Sequence, residues 1–186
     1  AELEITYTKS SGDIDKRTSL RSMDKTDFFT KEIDEMVFFE TVRIGIHSAK
    51  DLPEPLTAGL QVVAMTQGLD PSDSLVLKEG VTLSSLRHNA VIATSCVRRE
   101  ESCLMLKKDL QFIDLRGTIE ERLTVLDGMA DGVVIAEAAL IRLNLTHLNR
   151  IRLPGKTAKD QGRIAIVSRQ GDVEMENLFR PLNFCQ

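Results

Sequence analysis

The stretch Val91-Ile92-Ala93-Thr94-Ser95-Cys96-Val97-Arg98-Arg99 decides the fold class. It opens apolar and β-prone, passes through small polar residues, and from residue 98 to 107 takes on a helical pattern. A strand that runs through a short loop into a helix is half of a βαβ unit. The cycle returns downstream as a strand at 110–113, a helix at 119–126, a strand at 132–136 and a helix at 138–143. Upstream, residues 2–8 read as a strand, and 27–39 as a helix turning Phe28, Ile33, Met36 and Val37 toward a core. Residues 42–46 and 60–65 read as further strands, 163–167 as a returning strand and 174–179 as a short closing helix. Strands alternating with helices define an α/β fold.

Two segments interrupt that rhythm with turn-forming residues: Gln67-Gly68-Leu69-Asp70-Pro71-Ser72-Asp73 and Leu153-Pro154-Gly155-Lys156-Thr157. Two such crossings around one α/β block predict a two-domain, double-crossover architecture. Residues 1–68 plus 160–186 would form domain 1, incomplete at its N-terminus, and 69–159 domain 2.

The composition excludes several function classes. A net charge of -4 without a long basic arm, 4% aromatic residues and no Trp argue against a nucleic-acid binder. No apolar run reaches the ~20 residues of a membrane helix. Ala1-Glu2-Leu3-Glu4 lacks the basic head and apolar stretch of a signal peptide, so cytoplasmic residence is expected. Cys96, Cys103 and Cys185 form no C-x-x-C pair, and His47, His88 and His147 are scattered, so no metal site is expected.

The chemistry gathers where strands end, the usual place for ligand sites in open α/β sheets. His47-Ser48-Ala49-Lys50-Asp51-Leu52-Pro53 follows one strand, Thr94-Ser95-Cys96-Val97-Arg98-Arg99 a second, and Asp114-Leu115-Arg116-Gly117-Thr118 a third. Arg98 and Arg99 fall in a helix's first turn, where cations oppose the helix dipole unless an anion binds there. The alternative is that they reach solvent or a neighbouring acid such as Glu100 or Glu101. Thr118 and Glu121 spell a capping box, and Arg122 lies one turn further on. Lys50 and Asp51 pair a cation with a carboxylate that can move a proton or stabilise a developing positive charge, or else form a plain surface ion pair. His47 is expected to satisfy a backbone group, and Cys103 and Leu106 to be core. Several arginines around one carboxylate suit a small, multiply carboxylated substrate whose reaction passes through a cation.

In this order the three junctions resemble the signatures H-S-x-K-D-x-P, T-S-S-L-R-R and D-L-R-G-N of the porphobilinogen deaminase (hydroxymethylbilane synthase) family, with Cys96, Val97 and Thr118 as replacements. Phe29-Thr30-Lys31-Glu32, Asp70-Pro71-Ser72-Asp73 and Gln161-Gly162 also follow the family order. The resemblance implies a type-II periplasmic-binding-protein-like fold with the site between two domains. It implies condensation of four porphobilinogen molecules into hydroxymethylbilane with loss of ammonia, in tetrapyrrole (haem) biosynthesis, by a monomer. Asp51 would be the catalytic carboxylate, handling pyrrole nitrogens and steadying the azafulvene cation. Lys50, Arg98, Arg99, Arg116, Arg122 and Arg142, with the Ser95 hydroxyl, would bind the acetate and propionate groups of a dipyrromethane cofactor and the growing chain.

The departures are equally specific. The family's R-x-S-x-L-A motif has no counterpart here, and Lys25 replaces a loop lysine one position out of register. The third domain, with the cysteine that forms a thioether to dipyrromethane, is expected to be absent. Cys185 and Cys96 are then the candidate thiols, and the attachment residue is not identified. A non-catalytic protein binding an anionic tetrapyrrole or other carboxylate in the same fold is the alternative function.

Overall fold

The computed structural model describes residues 4–15, 18, 21 and 26–183. The chain divides into two compact units: residues 1–17, 24–67 and 163–186 form unit 1, and 18–23 with 68–162 form unit 2. Among the described residues each unit holds one β-sheet.

Unit 1 contains helix α1 (Ser11–Ile14), helix α2 (Lys31–Phe38), strands β1 (Gly45–Ser48) and β2 (Leu60–Met65), and later strand β8 (Ile164–Arg169) and helix α6 (Val173–Phe179). Its sheet runs β1-β8-β2, with β8 antiparallel to both neighbours. Val37 from α2 packs with Ala49, Leu52, Leu60, Ala165 and Val167. Asp34 is also buried on the inner face of α2, where the periodicity alone places apolar side chains.

Unit 2 contains β3 (Asp73–Leu77), β4 (Val91–Ala93), α3 (Val97–Leu106), β5 (Gln111–Ile113), α4 (Ile119–Leu123), β6 (Gly132–Ala136), α5 (Glu137–Arg142) and β7 (Arg150–Arg152). The order is β5-β4-β6-β3-β7, with β4 parallel to β5 and β6, and β3 antiparallel to β6 and β7. Successive side chains of a strand face opposite ways, and here both faces are covered. Leu75, Leu77, Ile92 and Val134 enter one core with Cys103 and Leu110; Val76, Ala93, Val133 and Ile135 enter the other with Leu115, Val125 and Leu140. Cys103 is core, as the sequence indicates, and burial raises its thiol to about 12. Leu106 packs against the same cluster.

Several elements depart from the sequence reading. Residues 4–8 form no strand, and Ile5 and Tyr7 are exposed; residues 2–3 lie outside the described set. A β-prone segment needs a neighbour to pair with, and the sheet of unit 1 provides none to these residues. The strand expected at 42–46 pairs instead at 45–48, which exposes Ile46 and buries His47. The helix expected at 27–39 splits into a 3-10 turn at Asp27–Phe29 and α2, and 124–127 likewise tighten into a 3-10 turn. The inner strand β3, between β6 and β7, and the edge strand β7 are not evident from the sequence. Their apolar runs are too short to announce themselves, and their pairing is wholly long-range.

No helix among the described residues is long and apolar enough to cross a membrane.

Candidate functional site

In unit 1 the chain leaves β1 through a 3-10 turn, Ala49–Asp51. Ala49 and Leu52 are buried in the α2 core, and the Ala49 N–H donates to the Arg163 carbonyl at 3.1 Å. These anchors pin both ends of the turn and leave Lys50 and Asp51 between them, half-buried. Among the described residues the Asp51 carboxylate makes no hydrogen bond or ion pair, so its oxygens retain their acceptor capacity.

Behind this turn His47 is buried with its Nε2 at 3.4 Å from Asp34 Oδ1. The sequence expectation of a backbone partner is therefore corrected: the ring faces a carboxylate. Asp34 Oδ2 accepts from Thr30 Oγ1 at 2.8 Å and from Thr57 Oγ1 at 3.1 Å. Burial holds the His47 pKa below its ordinary value, although Asp34 and Asp51 both pull upward. The imidazole is neutral near pH 7, and its contact with Asp34 is not an ion pair there; neither facing atom completes a hydrogen bond.

In unit 2 the loops after β4 and β5 are joined by Ser95. Its Oγ accepts from the Leu115 N–H at 2.6 Å and donates to the Leu115 carbonyl at 2.8 Å. The hydroxyl proton is thus engaged, and Ser95 offers a ligand a lone pair rather than a proton. Cys96 occupies the N-cap of α3 and makes no side-chain capping bond, as suits a weak sulfur acceptor. Arg98 and Arg99 follow in the first turn, as the sequence implies. Their partner is neither Glu100 nor Glu101 but Asp73, the first residue of β3. Arg98 Nη1 lies 2.8 Å from Asp73 Oδ2 and donates to the Lys156 carbonyl at 2.8 Å. Arg99 donates to Asp73 Oδ1 from Nε at 3.0 Å and from Nη2 at 2.6 Å. Gln161 Nε2 donates to the same oxygen at 3.0 Å and to the Pro71 carbonyl at 2.6 Å. Burial pushes the Asp73 carboxyl upward, but Arg99 and Arg98 outweigh it and hold the pKa below the ordinary value.

The third junction is built by a cap. The Glu121 N–H donates to Thr118 Oγ1 at 3.2 Å, while the Thr118 N–H donates to Glu121 Oε2 at 2.9 Å. This capping box starts α4 where the sequence places it. Gly117 just before it has φ +102°, and a Cβ there would meet Glu121 Oε2 at 2.3 Å. Arg116 Nη1 donates to the Thr18 carbonyl at 3.1 Å, and Arg122 Nε to the Gly117 carbonyl at 2.8 Å. Arg142 ends α5 exposed, and no bond joins it to the other arginines named above.

Three residues at this site were missed as functional. In sequence Asp73 stands out only as part of a turn and, like Gln161, by its place in the motif order. Arg21 stands in a loop read only for its lysine, yet it bridges Asp114 Oδ1 at 2.6 Å and Glu100 Oε1 at 2.7 Å. Their signal is long-range: each partner is far away in sequence. Lys25 and Cys185 lie outside the described residues. No group of three or more His, Cys, Asp or Glu side chains suited to a metal ion occurs among the described residues.

A five-stranded sheet with an antiparallel inserted strand, and cationic junctions at the ends of its parallel strands, defines a type-II periplasmic-binding-protein-like α/β protein. An ancestral cationic amino acid solute binding protein shares the fold at TM-score 0.50 and 10% identity, with 82% of this chain and 69% of that one covered. The chain belongs to the porphobilinogen deaminase family: the model described as "Porphobilinogen deaminase, dipyromethane cofactor binding domain" matches residues 1–177. A porphobilinogen deaminase from Caldicellulosiruptor saccharolyticus is 41% identical over 152 residues, covering 81% of this chain and 52% of the relative. A probable porphobilinogen deaminase from Chlamydia pneumoniae is 36% identical over 181 residues, covering 97% and 76%. One from a Wolbachia strain of Drosophila simulans is 34% identical over 184 residues, covering 97% and 62%. The chain thus spans between 52% and 76% of the length of these three relatives.

Proposed function

We propose that the chain carries the catalytic and carboxylate-binding residues of a hydroxymethylbilane synthase, a transferase that condenses four porphobilinogen molecules with loss of ammonia. Residues 1–68 with 160–186 act as domain 1 and 69–159 as domain 2. The observation that carries the reading is Asp51: a half-buried carboxylate, unpaired among the described residues, set beside Lys50 at a strand end. A carboxylate so placed can accept a pyrrole N–H and stabilise the cation left when the amine departs as ammonia. Surface ion pairing explains it less well, because no cation among the described residues is paired with it.

In unit 2, Arg98, Arg116, Arg122 and Arg142 supply charge-assisted donors for acetate and propionate groups, and in unit 1 Lys50 supplies a further one. The Ser95 lone pair and the backbone at Gly117 add polar groups to the donors of unit 2. This donor set fits the carboxylates of a dipyrromethane. When bound, the dipyrrole supplies the end from which the chain is extended. Its thiol anchor is not Cys103, whose burial and raised pKa remove it as a nucleophile. Cys96, half-buried at the head of α3, is the candidate among the described residues, and Cys185 the candidate beyond them.

The biological setting that follows is haem biosynthesis in the cytoplasm, by a monomer acting on porphobilinogen without nucleic acid. The test is Asp51→Asn. Bilane formation from porphobilinogen is expected to fall by at least about 100-fold, the usual scale for a lost proton-transfer group. Thermal stability should not change. Normal turnover in the variant would remove Asp51 from the reaction, and an inactive parent chain that still binds porphobilinogen would favour the binding protein instead.

A further inference from the structure

Asp73 stands behind the arginines rather than among them. Its side chain is 2% exposed, against 10% for Arg99 and 27% for Arg98. Oδ1 takes three donors, two from Arg99 and one from Gln161, while Oδ2 faces Arg98 Nη1. The two guanidinium groups are adjacent in sequence and share a helix turn, so without an intervening anion they would repel each other. One carboxylate between two guanidiniums leaves a net charge of about +1 on the cluster. That charge resides on the more exposed partner, Arg98.

We infer that Asp73 is a positioning residue for carboxylate binding: it takes Arg99 as its buried counter-ion and fixes Arg98 as the arginine that meets the ligand. Arg99 then holds the acid and touches no substrate. This deepens the anion-binding reading above and rests on it. Gln161 strengthens the assignment. Its amide is anchored to the Pro71 carbonyl and so orients the same oxygen that Arg99 uses. Lys156 contributes its carbonyl as the second fixed point on Arg98 Nη1. With Nη1 held at both points, the Arg98 guanidinium is set in place before a ligand arrives, which lowers the ordering cost of binding.

The test is a cycle in the full chain, read by calorimetric titration with porphobilinogen and by kcat and KM. Asp73→Asn is expected to weaken porphobilinogen binding about tenfold, the scale of one lost charge-assisted contact, with kcat changed less than about twofold. Because Asp73→Asn strands a buried guanidinium, Asp73→Asn with Arg99→Gln is the companion variant, replacing the ion pair by neutral amides. In it the same loss of affinity is expected. In an Arg98→Ala background neither change should weaken binding further, since the residue they act through is gone. Losses that persist undiminished in that background would mean that Arg99 meets the ligand or that the effect is merely structural, and would overturn the inference. So would unchanged affinity in the companion variant. Unchanged affinity in Arg98→Ala alone would overturn the anion-binding reading itself, a result distinct from either.

Discussion

Asp51 and Asp73 carry the same carboxylate in opposite surroundings, and the difference sets what each can do. Asp73 is buried among two guanidiniums and an amide, so its charge is permanent and it cannot serve as a proton carrier near neutral pH. Asp51 is half-buried with no such partners among the described residues, which leaves its oxygens available as hydrogen-bond acceptors. The same logic separates the cysteines: Cys103 fills a core, whereas Cys96 stands at the head of a helix. Thr118 is legible from sequence alone, because a capping box is a contact between residues three apart. Thr118→Ala should cost about 1 kcal/mol, seen as a lower urea midpoint with an unchanged slope. Its backbone cap also shapes the turn that carries Arg116, so a small rise in KM should accompany it.

At the scale of elements, β6 depends on a residue with no side chain. Gly132 pairs with Leu77 of β3 and Ile92 of β4, and a Cβ there would meet Leu75 Cδ1 at 2.8 Å, with Ile92 Cδ1 and Leu77 Cδ2 at 2.9 Å. All three neighbours belong to one closely packed core. Gly132→Val should therefore destabilise the protein by about 1–3 kcal/mol through overpacking, measurable by denaturant titration. Helices and strands whose pattern spans a full period were legible: α3, β2, β6 and α6 lie within a residue or two of their expected bounds. β1 was misplaced because the apolar run 42–46 reads as buried, whereas pairing to β8 begins at Gly45 and turns Ile46 outward. A shift of register by a few residues costs a local pattern nothing, and it is decided by the partner strand.

Across the molecule, two buried titratable groups predict how stability changes with acid. His47 in unit 1 has a pKa held below its ordinary 6.5. The folded state therefore binds fewer protons than the unfolded chain once pH drops past that value, and stability declines from there until the folded imidazole itself protonates. Asp73 in unit 2 has a pKa held below its ordinary 3.8. Its contribution is complete above that value and disappears as pH falls through the lowered folded value. Thermal midpoints measured across this range should fall in two stages, and His47→Gln should remove the earlier one. A single acid transition in the parent chain would count against the role given to His47.

By itself the sequence determined the α/β class, the junctions where Lys50, Asp51, Ser95, Arg98, Arg116 and Arg122 stand, and the family to which the chain belongs. These are carried by local periodicity, by caps within one turn, and by motifs of a few adjacent residues. Only the tertiary structure decided that β3 runs antiparallel between β6 and β7, that Arg99 is buried on Asp73, and that His47 faces Asp34. Each of those facts joins residues that are distant in the chain. A carboxylate's role depends on the charge and burial around it, which neighbours in sequence do not specify.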